Sequence, residues 1–188
     1  MSNLVVFASR RGSNFQAIVD ACKSGLIDAK VTALFCDNPD ADVLSKAKKA
    51  NIPVIIVDPT DGDEIVDKLM RHSPDLIVLA GYLKKIPPLV IDTYDNIVNI
   101  HPSLLPKYGG KGMYGLAVHR AVIANGEIET GVTIHRVTLG YDEGEIIEQL
   151  KIRVHEHDTP ESLASRILKY EQILLVHTIK RLIDNAIQ

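Results

Sequence analysis

Ile97-Val98-Asn99-Ile100-His101-Pro102-Ser103-Leu104-Leu105-Pro106-Lys107 is the stretch on which the reading of this chain turns. Ile97, Val98 and Ile100 form a brief β-branched run, the composition of a buried strand. Side chains alternate between the two faces of a strand, so Asn99 and His101, two apart, leave the same face. Pro102 has no N–H to give a sheet ladder, so the strand is expected to stop at His101. An amide and an imidazole therefore stand together where a strand opens into a loop. In open α/β sheets that edge is where ligands bind. A strand-end histidine by itself is usually a hydrogen-bonded structural residue, and the in-phase amide beside it is what points to chemistry.

Before this strand the chain alternates between buried runs and amphipathic stretches. Leu4–Ala8 is an apolar run without alternation, as expected of a strand covered on both faces, and Val31–Cys36, Val54–Val57 and the buried Leu76–Ala80 are the further strands expected. Helices are expected between them: one carrying Phe15, Ile18, Val19 and Cys22 on a single stripe and ending at Gly25, one over about 41–50, and one from Asp61 to His72. The pattern predicts a doubly wound, mostly parallel Rossmann-like sheet of the α/β class. Beyond the central strand, Lys107–Gly115 carries four glycines and reads as a mobile loop, followed by a helix over Leu116–Asn125 in which His119 is structural. Thr130–Val137 alternates, with Val132 and Ile134 opposite Thr133 and His135. With no long crossover before Ile146–Val154, this C-terminal extension is expected to pair antiparallel. Thr159 and Pro160 open a final helix with Leu163, Ile167, Leu174 and Ile179 on its inner stripe. No repeat or linker interrupts the chain, so one domain over residues 1–188 is expected.

Residues 9–14, Ser-Arg-Arg-Gly-Ser-Asn, join the first strand to the first helix. Free backbone N–H groups and the helix dipole make such a junction suited to an anion such as phosphate, with Gly12, Ser13 and Asn14 as its cradle and Arg10 and Arg11 beside it. The residue types equally suit an ordinary helix cap at Ser13 or Asn14 and two solvated arginines, and at this level both readings stand.

The 188 residues are 46% hydrophobic and 24% charged, with a formal net charge of −3, which suits a globular domain and gives no electrostatic case for a nucleic-acid or membrane partner. Cys22 and Cys36 show no C-x-x-C spacing and read as buried free thiols in a reducing compartment. Asn3 and Arg10–Arg11 interrupt any apolar run at the start, so no signal peptide is expected and the location implied is cytoplasmic. His155 and His157 lack companions at ligand spacing, and no metal is expected.

Asn99-Ile-His-Pro-Ser-Leu-Leu-Pro106 resembles the signature of the folate-dependent formyltransferases, and the resemblance extends from Val5 to Leu182. It implies a formyl-folate co-substrate, 10-formyltetrahydrofolate, and a small-molecule acceptor. The branch most similar to this chain formylates the amine of glycinamide ribonucleotide in purine synthesis. The resemblance assigns catalysis to Asn99, His101 and Asp142, the last within a pattern also filled by Gly144, Ile146, Ile147 and Gln149. It places the substrate phosphate at Gly12, Ser13 and Asn14, adds Glu171 as a substrate contact, and lines the folate pocket with Tyr82, Leu83, Lys84, Ile86, Leu139 and Gly140. Arg10 departs from the family pattern, which has glycine there. The implied assembly is a monomer or weak homodimer. Other members acting on methionyl-tRNA, on a sugar amine or on formyl-folate itself are the alternatives. A carboxylate beside His101 is expected to raise that histidine's pKa.

Overall fold

The computed structural model describes residues 1–186. Thirteen elements follow in chain order: β1 (Ser2–Phe7), α1 (Ser13–Lys23), β2 (Ala29–Cys36), α2 (Val43–Lys49), β3 (Val54–Ile56), α3 (Gly62–Met70), β4 (Leu76–Leu79), α4 (Pro88–Thr93), β5 (Ile97–His101), α5 (Leu116–Ala124), β6 (Glu129–Arg136), β7 (Ile146–Arg153) and α6 (Pro160–Ala186). The strands hydrogen-bond in the order β3-β2-β1-β4-β5-β6-β7. β1 pairs in parallel with β2 and β4, and β2 with β3, whereas β6 and β7 run antiparallel. This is the doubly wound α/β sheet with the antiparallel C-terminal extension read from the sequence. Among the described residues no helix is long and apolar enough to cross a membrane.

The chain divides into two compact units. The first comprises Met1–Val98 and the chain from Val176 onward. Leu4, Val5, Val6 and Phe7 are all fully buried, which is why β1 shows no polar alternation. Phe7 stacks on Phe35 with ring centroids 4.9 Å apart and meets Tyr82 edge-on at 5.2 Å. Helix ends follow local chemistry. Gly25, at φ 77, takes the left-handed position just past α1. Asp61 caps α3 by accepting from the Glu64 N–H at 2.8 Å, so this helix begins one residue later than Asp61 itself.

The second unit is Asn99–Leu175. Val132 and Ile134 are fully buried, and so are Thr133 and His135, so the alternating polar residues of β6 face an enclosed interior instead of water. Their polar atoms are hydrogen-bonded, as burial demands. Thr133 Oγ1 donates to the Ser103 carbonyl at 2.6 Å and accepts from Leu105 N–H at 3.1 Å and Gln149 Nε2 at 2.9 Å. Gln149 Nε2 also donates to the Leu105 carbonyl at 2.9 Å. The segment after His101 is thereby fastened to the β6–β7 pair. At the start of α6, Ser162 N–H donates to Thr159 Oγ1 at 3.1 Å and Thr159 N–H to Ser162 Oγ at 2.9 Å, a reciprocal cap in which serine fills the usual glutamate place.

Gly131 carries the close approach of β6 to that segment. A Cβ there would lie 2.1 Å from the Leu150 carbonyl oxygen and 2.5 Å from Leu104 Cδ2. Gly131→Ala is therefore expected to lower unfolding free energy by about 1–3 kcal/mol, an overpacking effect. A guanidinium midpoint equal to that of the parent protein would show that β6 yields without loss.

Candidate active site

Asn99 and His101 both meet the carboxylate of Asp142, which reaches them from the β6–β7 connection. Asn99 Nδ2 lies 3.4 Å from Asp142 Oδ1, and His101 Nδ1 lies 3.5 Å from Asp142 Oδ2. Gly110 N–H donates to Oδ2 at 2.9 Å. A fourth side chain completes the cluster. His135, from β6, places Nε2 3.0 Å from Asn99 Nδ2 and 3.5 Å from Asp142 Oδ1.

Backbone carbonyls decide which nitrogen of each histidine faces the carboxylate. His101 Nε2 donates to the Tyr108 carbonyl at 2.8 Å, so its Nδ1 is the basic atom turned to Asp142. His135 Nδ1 donates to the Arg136 carbonyl at 2.8 Å, leaving the Nε2 lone pair to accept from the Asn99 amide. The reverse amide orientation would set the Asn99 oxygen against that lone pair and the Asp142 carboxylate. The amide nitrogen thus faces the cluster.

Burial depresses the His101 pKa below its ordinary value, and His135 adds a smaller repulsion. The Asp142 charge and the Tyr108 hydrogen bond oppose this and are outweighed. The raised pKa expected from the carboxylate alone is corrected here: desolvation penalises the charged imidazole more than Asp142 favours it. Burial also pushes the Asp142 carboxyl up, but His135, the His101 charge and the Gly110 N–H together bring it below the usual carboxylate range. A neutral imidazole and an ionised carboxylate are the resting forms near neutral pH.

Two residues at the site hold left-handed backbones without being glycine, Asp142 at φ 56 and Tyr108 at φ 58. Each conformation costs about 1–2 kcal/mol, tolerated best by Asp and Asn and poorly by a bulky tyrosine. The glycine-rich loop is therefore fixed at its start, with Ser103 Oγ donating to the Lys107 carbonyl at 2.6 Å as a further tie.

In the first unit, Gly12 is the N-cap of α1 with φ 66 and has no side chain to cap with, so neither Ser13 nor Asn14 takes the cap position. A Cβ on Gly12 would lie 2.3 Å from Val43 Cγ2 and 3.2 Å from Val43 Cα. The loop is braced on α2, where Val43 N–H donates to the Arg10 carbonyl at 2.9 Å and Lys46 Nζ to the Gly12 carbonyl at 3.3 Å. Arg10 and Arg11 are both exposed. Ser9 is the hub of neighbouring loops: its hydroxyl donates to Asp37 Oδ1 at 2.6 Å and accepts from Leu83 N–H at 3.0 Å. The Tyr82 and Ile86 side chains are buried, whereas Leu83 is half-buried and Lys84 exposed.

In the second unit Leu139 is exposed, Gly140 is half-buried on the connection that carries Asp142, and Glu171 is half-buried on α6. Sequence reasoning missed His135, Ser9 and Tyr108. His135 lies in phase with Thr133 on an alternating strand, and that pairing was the available signal. Nothing in the sequence marks the Tyr108 carbonyl.

His119, on α5, is buried, and its Nδ1 has no hydrogen-bond partner. Burial, then repulsion from His101, lowers its pKa to about 4. The unfolded chain takes up this proton near pH 6.5 and the folded chain only near 4, so stability is complete above that window and falls as pH drops through it. The loss expected is roughly 2–4 kcal/mol at about 1.4 kcal/mol per pH unit. His119→Leu should flatten the slope of unfolding free energy between those pH values, and an unchanged slope would rule out His119 as its source.

A family model described as formyl transferase matches residues 2–179. The phosphoribosylglycinamide formyltransferase of Bacillus subtilis is 38% identical over 97% of this chain and 95% of its own length. The chloroplastic phosphoribosylglycinamide formyltransferase of Arabidopsis thaliana is 40% identical over 98% of this chain, which spans 66% of that protein's length. Among solved structures, glycinamide ribonucleotide transformylase 1 from Geobacillus kaustophilus superposes with a TM-score of 0.90 at 38% identity, covering 97% of this chain and 99% of that one. With the match spanning nearly all its residues, the chain belongs to the formyl transferase family.

Proposed function

We propose that this protein transfers the formyl group of 10-formyltetrahydrofolate to the amine of glycinamide ribonucleotide, a step of purine synthesis. The observation that carries the reading is the part-buried meeting of Asn99, His101 and Asp142, three residue types suited to amine acylation, in a chain whose relatives are phosphoribosylglycinamide formyltransferases.

The acceptor amine attacks the formyl carbon, its C–O double bond opens to an oxyanion, and the amine must lose a proton before the folate nitrogen leaves. Asn99 supplies an amide N–H to the oxyanion by turning one hydrogen from Asp142, to which its contact is long at 3.4 Å. One such donor is worth about 3–4 kcal/mol of barrier. Neutral His101 takes up the released proton on Nδ1, and the new N–H, flanked by the Asp142 carboxylate, is then a cationic donor to the same oxyanion. The protonated histidine is thus an outcome of the reaction in this reading, not its starting state. The proton is later returned to the departing folate nitrogen. No covalent enzyme intermediate and no metal are required.

Gly12, Ser13 and Asn14 hold the ribonucleotide phosphate through N–H groups at the start of α1, supported by Arg10 and Arg11. Glu171 contacts the same substrate. Tyr82, Leu83, Lys84, Ile86, Leu139 and Gly140 line the folate site. The reading carries with it a single catalytic domain, since one family match runs across residues 2–179. It also carries a cytoplasmic monomer or weak homodimer with no nucleic-acid or membrane partner, in keeping with a net charge of −3.

Incubating purified protein with 10-formyltetrahydrofolate and glycinamide ribonucleotide should give a product heavier by one formyl group less a hydrogen, detected by mass spectrometry. Folate deformylation that proceeds equally without the amine would replace this reading with a hydrolase. Asp142→Asn should lower kcat by roughly 10²–10⁴-fold with a smaller change in KM. Because the lost carboxylate had favoured the charged imidazole, the acid limb of the kcat/KM profile should move to lower pH. Superimposable profiles of similar height would make Asp142 a turn residue only.

A further inference from the structure

We propose that Glu127 is a positioning residue for this reaction: its carboxylate fastens Lys107 and Tyr108, and through them holds the Tyr108 carbonyl against the imidazole of His101. The inference rests on the formyl-transfer reading given above. Glu127 lies in the connection between α5 and β6. Its Oε1 accepts from Lys107 Nζ at 2.8 Å and from the Tyr108 hydroxyl at 2.9 Å. The backbone between those side chains meets the cluster, the Tyr108 carbonyl accepting from His101 Nε2 at 2.8 Å.

A tyrosine gains nothing by itself from a left-handed backbone, where its Cβ crowds the following carbonyl. Something beyond local preference must hold φ at 58. A phenol anchored at its far end does this by leverage: once the hydroxyl is fixed on Glu127, the ring sets the Cα and the carbonyl keeps its aim. Lys107 is 66% exposed, and an exposed ion pair adds little stability, so the pair matters for geometry more than for folding. The hydrogen bonds from Lys107 and Tyr108 keep the Glu127 carboxyl below its ordinary range, ionised when the reaction runs.

The consequence falls on the tautomer. While Nε2–H is committed to the Tyr108 carbonyl, Nδ1 is the basic nitrogen and faces Asp142 Oδ2. If the carbonyl swings away, both tautomers become populated, and the fraction carrying hydrogen on Nδ1 cannot receive a proton there.

Tyr108→Phe, Glu127→Ala and Glu127→Gln in the full chain test this with two readouts. One is steady-state kinetics with 10-formyltetrahydrofolate and glycinamide ribonucleotide. The other is the ¹⁵N spectrum of the histidine rings without substrate, with His101 assigned through His101→Gln. Tyr108→Phe and Glu127→Ala are expected to lower kcat by about ten- to a hundredfold with KM little changed, as for small misplacements of a catalytic group. The His101 signals should move from the Nε2–H form to a mixture. Glu127→Gln, which still accepts from the hydroxyl, should recover most of both. The ionisable groups facing His101 are Asp142, His135 and His119, all retained in each variant, so a fall in the His101 pKa would report the lost carbonyl.

An unchanged His101 tautomer in the folded Tyr108→Phe and Glu127→Ala proteins overturns the proposal, whatever happens to kcat. Should Glu127→Ala fail to fold, Tyr108→Phe decides alone. Parent protein that transfers no formyl group defeats the reading of the activity, and the spectrum still judges the clamp.

Discussion

A carboxylate whose side chain is only 12% exposed must be met by donors, and the second unit is arranged around meeting one, that of Asp142. The groups around it come from separate places: the Asn99 amide at the end of β5 and the Gly110 N–H of the glycine-rich loop donate to it, while His101 from β5 and His135 from β6 bring ring nitrogens to 3.5 Å. Each has its own backbone reason to be there. Pro102 ends β5 just after His101, the two-residue period sets Asn99 and His101 on one face, and the same period pairs His135 with Thr133. The left-handed backbone at Asp142 lets its side chain turn back over these strands. Removing one donor would leave part of the charge unmet in a poorly hydrated place, so the cluster's members depend on each other more than their long individual distances suggest.

The same arrangement settles where a proton can go. The carboxylate lies between His101 Nδ1 and His135 Nε2, because the Tyr108 and Arg136 carbonyls occupy the opposite nitrogens. Each imidazole brings a ring nitrogen within 3.5 Å of the carboxylate, so a proton taken up by His101 lies beside the Asp142 charge. Burial keeps His101 neutral at rest by disfavouring its imidazolium. In the proposed reaction, a neutral imidazole beside a carboxylate is suited to accept a proton from the amine under attack and return it to the leaving nitrogen. A permanently charged histidine would stabilise an oxyanion from the outset but could receive nothing.

The parallel sheet, the antiparallel extension and the Asn99–His101 pair were readable in the sequence because they rest on local rules: uninterrupted apolar runs, a short β6–β7 connection, and the two-residue period. Asp142 was readable only through the resemblance, since an aspartate among glycines is by itself an ordinary turn residue. The missing pieces were those that depend on a distant partner. Nothing local to Tyr108 foretells that its carbonyl will orient His101. Nothing around Ser9 foretells a hydroxyl that joins Asp37 to Leu83. The histidine pKa went the wrong way for a related reason. Chain position gives the nearby charge but not the burial, and burial was the larger effect.

Arg10 shows how a departure from a family pattern can be absorbed. Glycine is obligatory in a loop only where φ is positive or another backbone comes too close. Among the described residues, the non-glycine positions with positive φ are Asn51, Ser73, Tyr108 and Asp142, so Arg10 needs no special backbone. Its carbonyl still accepts from Val43 N–H, and its exposed side chain leaves the loop's packing to Gly12. Gly12 has both requirements at once, φ 66 and a wall of Val43 atoms where a Cβ would go. The loop can therefore exchange its first glycine for a cation while keeping the second. What the exchange adds is positive charge beside the start of α1, where the helix dipole already favours an anion. In the proposed reading, the departure thus adds to the electrostatics of the phosphate site while Gly12 keeps the positive-φ turn that opens α1.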